Sequence, residues 1–264
     1  MSLVRAVATV GSMTLLSRVL GFVRDMMIAA YLGAGVAADA FFVAFKLANL
    51  LRRLFAEGAF NAGFVPLFAR TLEGEGEDAA RRFAEEALAV MAIVLVTVVA
   101  VAELFMPWLV RILAAGFDPE GERYGLAVEL SRITFPYLML ISLAALVSGV
   151  LNSLHRFAAA AAAPVVLNVV LIGAVLIAAW QGWSVAHALA WGVAAAGVAQ
   201  LLWVTIALAR AGMALRPTRP RLTERIKRLF RLILPAPVSA GHNQHNLVND
   251  TSNATHKPPH ALST

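Results

Sequence analysis

Arg18, Arg24 and Asp25 interrupt one long apolar stretch of this chain. Asp39, Lys46, Asn49, Arg52, Arg53 and Glu57 interrupt the next. A charge at the centre of a bilayer costs about 2.5–3.5 kcal/mol even on the lenient insertion scale, so charges kept in such stretches need a reason. Arginine offers a planar fork of donors that fits a phosphate bidentately, and a carboxylate beside it holds the guanidinium in place or competes with the ligand. Arg18, Arg24, Lys46, Arg52 and Arg53 outweigh Asp25, Asp39 and Glu57, so the group is net positive and suits an anionic cargo. The plainer alternatives are ion pairs that lock helices together and, near helix ends, snorkelling to water. For Asp39 and Lys46 the two readings weigh evenly.

Spacing sharpens this. At about 100° per residue, with Asp39 at zero, Lys46 falls near −20°, Arg53 near −40°, Asn49 near −80° and Glu57 near 0°. These five share one stripe. Arg52 falls near −140°, outside it unless a kink intervenes. In the first stretch Arg18 and Asp25 are nearly eclipsed, with Arg24 about 120° from Arg18. Two helices so marked are expected to face each other or a water-filled cavity.

The elements that must position these residues are membrane helices. The chain has 264 residues, 60% apolar and 14% charged, with a mean hydropathy of +0.75. That balance excludes a disordered chain, a disulfide scaffold and an ordinary cytosolic enzyme, and implies an all-α, polytopic transmembrane bundle. With no cysteine there is no thiolate nucleophile or thiolate metal site. A spanning helix needs roughly 20 apolar residues, and the runs near 8–32, 36–66, 86–110, 132–153, 161–181 and 186–209 qualify. The second is too long for one straight crossing and is expected to kink, tilt or end at the interface, with Pro66 closing it. Pro136 and Pro164 fall near the starts of spans four and five, and Gly21, Gly33, Gly35, Gly58 and Gly63 flank or interrupt the first two. Trp108, Trp180, Trp183 and Tyr137 read as interfacial anchors.

Orientation follows from the loops. Arg5, Arg70, Arg81, Arg82, Arg156, Arg210, Arg216, Arg219, Arg221, Arg225, Lys227, Arg228 and Arg231 lie on one side, against Arg111, Arg123 and Arg132 on the other. The positive-inside rule places the N-terminus in the cytoplasm. The net charge of +6 is thus read as orientation and anionic-lipid contact, not nucleic-acid binding. Residues 112–130 suggest a short outward-facing helix. Residues 222–233 suggest an amphipathic helix on the membrane surface within a basic segment, 211–236, or a solvated linker with snorkelling arginines. The polar remainder, 237–264, is expected to be disordered; its His242, His245, His256 and His260 make at best a poor metal site. No nucleotide loop, H-E-x-x-H or nucleophile elbow is present, so neither an enzyme nor a cofactor is indicated.

Residues 17–68, SRVLGFVRDMMIAAYLGAGVAADAFFVAFKLANLLRRLFAEGAFNAGFVPLF, closely resemble the N-terminal signature of the MurJ (MviN) family of bacterial lipid II flippases. Residues 133–173 continue the likeness, which runs from residue 3 to about 236. The family belongs to the multidrug/oligosaccharidyl-lipid/polysaccharide exporter superfamily. The resemblance implies movement of an undecaprenyl-pyrophosphate-linked peptidoglycan precursor across the bacterial inner membrane, by alternating access of two lobes about a cationic cavity, without a cofactor. It implies that Arg18, Arg24, Arg52 and Arg53, with Ser17 and Asn49, hold the pyrophosphate. Asp25, Asp39, Glu57 and Lys46 would organise those groups and respond to gating. The seventh span should begin at residues 231–236, where polar residues and histidines instead replace the family's apolar ones. The chain therefore reads as an N-terminal lobe without its C-terminal lobe. Two alternatives remain: a related exporter of another lipid-linked oligosaccharide or of drugs, and a membrane interaction protein that transports nothing.

Overall fold

The computed structural model describes residues 3–52 and 59–233, with side-chain surroundings for 7–50 and 63–232. Among the described residues every regular element is a helix. In order they are α1 (Leu3–Leu32), α2 (Val36–Arg52), α3 (Ala59–Glu75), α4 (Glu77–Leu104), α5 (Met106–Leu113), α6 (Glu122–Thr134), α7 (Tyr137–Ser153), α8 (Phe157–Gln181), α9 (Val185–Arg210) and α10 (Glu224–Ile233). Four helical segments, 77–104, 122–153, 157–181 and 185–210, are long and apolar enough to cross a bilayer. The chain is a multi-pass membrane protein. The two charged stretches are not among them: α1 carries Arg5, Arg18, Arg24 and Asp25 along its length, and the second is divided into α2 and α3.

Local chemistry explains several departures from the expected boundaries. Pro66 lies inside α3 rather than ending a span. Residues 70–82, whose arginines count with the loops between the second and third expected spans, are helix on both sides of Gly76, whose φ of 88° makes the break in a left-handed conformation that glycine adopts without strain. Residues 112–130 form no separate outward-facing helix. Turns occupy 114–121, and α6 then runs through Pro136 almost directly into α7. Pro164 sits within α8, and α9 supports the helix around it. Trp203 donates its indole N–H to the Ala159 carbonyl at 3.0 Å, and Gln200 its amide to the Ala163 carbonyl at 2.8 Å. These bonds tie α8 to α9 ahead of the proline, although the carbonyl that Pro164 leaves free, that of Ala160, is neither of the two.

Packing runs α1 on α8, α8 on α9, and α9 on α7, while α2 lies on α6 and α3 on α4 and α7. The close approaches need glycine. A Cβ on Gly192 would sit 2.9 Å from the Ala174 Cβ, and one on Gly197 would sit 2.9 Å from a Tyr137 ring carbon. Two apolar clusters result. One joins α2, α5, α6 and the first half of α9; the other joins α3, α4, α7, the end of α9 and α10.

The apolar face of α10 turns inward. Ile226 and Leu229 are buried against the second cluster instead of lying on a membrane surface, although Leu222 stays exposed. Polar ties hold the segment down. Thr223 donates to Glu86 at 2.9 Å, the Arg216 backbone N–H donates to Glu85 at 2.9 Å, and Arg225 pairs with Glu75. Lys227 donates to Glu224 at 2.8 Å, and this bond holds the Glu224 carboxyl below its ordinary value.

Candidate functional site

The residues singled out on α1 and α2 fall into three places. The first is the α1–α8 seam. Arg24 donates from Nε and Nη2 to the Asp25 carboxylate at 2.9 and 2.8 Å, and from Nη1 to the Asn168 side-chain oxygen at 2.7 Å. Asn168 in turn donates to the Ser17 carbonyl at 2.9 Å, with the Ser17 hydroxyl at 3.4 Å. Of the five N–H groups of a guanidinium, three are engaged here and two are uncommitted. The Arg24 side chain is 17% exposed and that of Asp25 65%, so the pair lies at the edge of the seam with its carboxylate toward the open side. A Cβ on Gly21 would make ordinary van der Waals contact with the Asn168 amide, so the seam itself does not require glycine there.

A second place lies between α2, the end of α5 and the turn after it. Asp39 pairs with Arg123 of α6 at 3.3 Å, and Arg123 also stacks over the Phe117 ring at 5.5 Å. Lys46 lines the same recess of about 520 Å³. Asn49 lies elsewhere, on a cavity of about 700 Å³ between α1, α2, α3, α7 and α8. Val10, Ser148, Asn152, Pro164 and Leu167 contribute to its wall. Leu167 of its wall precedes Asn168 in sequence, but none of Ser17, Arg24, Asp25 and Asn168 lines this cavity.

The structure therefore brings Ser17, Arg24 and Asp25 together, and separately Asp39 with Lys46. It does not pack α1 along α2, because α8 and α6 are their respective partners. Arg18 is exposed on α1 and joins neither group. Arg53 and Glu57 lie outside the described residues, as does the side chain of Arg52. The four tail histidines lie outside them too; among the described residues no cluster of metal-ligating side chains occurs.

Sequence reading missed Asn168, Arg123, Gln200 and the burial of Tyr137. Tyr137 is not an interfacial anchor: it is 2% exposed and donates to Gln200 at 3.2 Å. Trp108, Trp180 and Trp183 do stand exposed. Asn168 and Gln200 had a signal, since each is an isolated amide deep in an apolar run. Amides in membrane helices seek partners across the bundle as charges do.

Chemically, the α1–α8 seam offers a held guanidinium with two spare donors at an open edge. That arrangement can accept a phosphate oxygen without reorganising the arginine.

Comparison with known proteins gives a consistent result. The family model described as "Lipid II flippase MurJ" matches residues 28–263. The match thus extends through the polar tail, past the limit near residue 236 expected from the likeness alone. A protein named "Probable lipid II flippase MurJ" from Rhizobium tropici is 49% identical over 252 residues, covering 94% of this chain and 47% of that protein. "Lipid II flippase MurJ" from Burkholderia cenocepacia is 39% identical, covering 97% and 50% respectively. Among solved structures, "Lipid II flippase MurJ, inward closed conformation" superposes with a TM-score of 0.66 at 22% identity, covering 85% of this chain and 46% of that one. An outward-facing multidrug resistance transporter of the MATE family superposes with a TM-score of 0.69 at 19% identity, covering 89% and 52%. The chain spans about half the length of the curated relatives it matches.

Proposed function

The chain belongs to the MurJ family of lipid II flippases, and from that membership we propose that it forms the N-terminal lobe of a transporter that moves a lipid-linked peptidoglycan precursor across the bacterial inner membrane. Its N-terminus lies in the cytoplasm, in keeping with the surplus of basic residues on that side. The cargo is an undecaprenyl-pyrophosphate lipid. Arg18, Arg24, Arg52 and Arg53, with Ser17 and Asn49, engage the pyrophosphate on the open face of α1 and α2. Asp25, Asp39, Glu57 and Lys46 set the positions of those groups and exchange partners as the lobes move.

The observation that carries this reading is the held guanidinium of Arg24. Asn168 and Asp25 fix its plane while two donors stay available. The pair is left at the edge of the open face. The fold is shared with drug exporters, so fold alone does not choose the cargo; the sequence family and the spare guanidinium donors support the lipid-linked precursor.

The test is complementation. The chain, joined to the C-terminal half of the Rhizobium tropici relative, is expressed in cells depleted of their own flippase. Growth is expected with the parent sequence and not with Arg24→Ala at equal protein level. Equal growth of both would refute the arginine's role. In a direct binding assay, preference for a small organic cation over undecaprenyl pyrophosphate would favour the drug-exporter alternative.

A further inference from the structure

A groove of about 510 Å³ runs along the outer surface of the bundle where α7 ends, α8 begins and α9 ends. Its walls are apolar, formed by Leu151, Ala158, Ile206 and Ala207 together with Trp203. The Trp203 ring is fixed there by its bond to the Ala159 carbonyl. At the mouth stand two exposed arginines, Arg156 and Arg210. Among the described residues no carboxylate pairs with either. The turn that presents Arg156 is strained. His155 holds φ at 59°, the left-handed conformation that glycine usually supplies after a helix. The Arg156 N–H closes the turn on the Leu151 carbonyl at 2.8 Å. The groove opens at the end of the bundle that carries most of the basic residues, on helices that face lipid by composition.

We propose that this groove is a binding site for an anionic phospholipid of the membrane leaflet at the basic end of the bundle. Arg156 and Arg210 share the phosphodiester, and one acyl chain lies along the apolar floor against Trp203. Charge complementarity selects this occupant. Two unpaired guanidiniums at a membrane interface attract an anionic headgroup, whereas a packed protein helix would leave both without partners or demand carboxylates. The groove's 510 Å³ lies within the range of small-molecule sites, so it takes the phosphodiester and one acyl chain while the rest of the lipid stays in the bilayer. The groove is separate from the α1–α8 seam, and the proposal rests on the membrane reading of the chain but not on its transport of a precursor.

The experiment is thermal unfolding of the full chain in neutral detergent, titrated with dioleoyl phosphatidylglycerol, dioleoyl phosphatidylcholine or inorganic phosphate. Phosphatidylglycerol is expected to raise the midpoint saturably, and the other two to leave it unchanged. The Arg156→Ala/Arg210→Ala variant should weaken the apparent affinity for phosphatidylglycerol roughly 30-fold. The Arg156→Lys/Arg210→Lys variant should weaken it only a few-fold. Ala158→Trp, which fills the groove and keeps both arginines, should also abolish the shift. Arg219→Ala/Arg221→Ala, at the same end but outside the groove, should behave as the parent. An equal loss in that control pair would overturn the site in favour of diffuse charge attraction. An equal shift with inorganic phosphate would overturn the lipid. Saturable binding that survives Ala158→Trp would overturn the groove.

Discussion

Two polar seams cross the apolar bundle, and each is built around one amide. Between α7, α8 and α9, Gln200 accepts from Tyr137 and donates to the Ala163 carbonyl; both side chains belong to residues 2% exposed. Between α1 and α8, Asn168 accepts from Arg24 and donates to Ser17, but the arginine beyond it is partly open and its carboxylate partner mostly so. The Gln200 seam is neutral, buried and internally satisfied, although Tyr137, Ala163 and Gln200 also line the 700 Å³ cavity. The Asn168 seam is charged and ends in unspent donors. A neutral amide buried in a membrane bundle specifies packing. An amide that holds a cation at an open face instead presets a binding group. On the proposed function, similar side chains thus do two jobs, and exposure at the end of each network separates them.

The largest effect is expected where the buried seam is tightest. Gly197 faces the Tyr137 ring and Leu140, with no room for a side chain. Gly197→Val should cost about 3 kcal/mol through overpacking, read as a lower unfolding midpoint in detergent. An unchanged midpoint would show that α7 and α9 do not meet as closely as described. Next comes Gln200→Leu, which removes both bonds of the amide inside a buried site. A loss of about 2 kcal/mol is expected, with binding of undecaprenyl pyrophosphate to the remaining folded protein unchanged. A binding defect here would erase the distinction between the two seams.

How much of this was legible in advance divides along the same line. The apolar runs of α4, α8 and α9 announce themselves, because a bilayer imposes length and composition on every helix that crosses it. The oddity of Arg24 and Asp25 was equally plain, since charge in such a run is expensive. Their partner was not. Which helix lies beside α1 depends on packing among nearly uniform apolar faces, and α8 has almost no sidedness to read. Only Asn168 marks it, and a search confined to ionisable residues passes over an amide. Tyr137 misled for a related reason: a tyrosine near a helix start suits the interface or a buried hydrogen bond, and Gln200, distant in sequence, settles the choice. For α10 the periodicity was readable, but periodicity identifies an apolar face without saying whether lipid or α3 and α4 will cover it.

A smaller stability effect, with a larger functional one, is expected at the open seam. Asn168→Leu should lower stability by about 1 kcal/mol, since Arg24 and Ser17 reach toward water. It should nonetheless reduce undecaprenyl pyrophosphate affinity about tenfold, because the guanidinium is no longer held in plane. The defect should persist at high salt, as befits a loss of geometry. Recovery of binding at any salt would make Asn168 a packing residue like Gln200.

The smallest change in stability belongs to Asp25→Asn. The Asp25 carboxylate is mostly exposed, and exposed ion pairs contribute at most about 1 kcal/mol. Its effect on binding should be opposite in sign to that of Asn168→Leu. The aspartate occupies two of the arginine's donors and places a negative charge where a diphosphate would sit, so removing that charge should raise affinity about threefold at low salt. The gain should fade as ionic strength rises past the point where the Debye length falls below about 8 Å. The two variants together separate holding from tuning. A geometric defect that salt does not touch identifies the residue that orients the arginine. A salt-sensitive gain identifies the residue that competes with its ligand. If Asp25→Asn weakened binding at every salt concentration, the carboxylate's part in positioning the arginine would outweigh its competition with the ligand, and the open end of the seam would be as firmly built as the closed one.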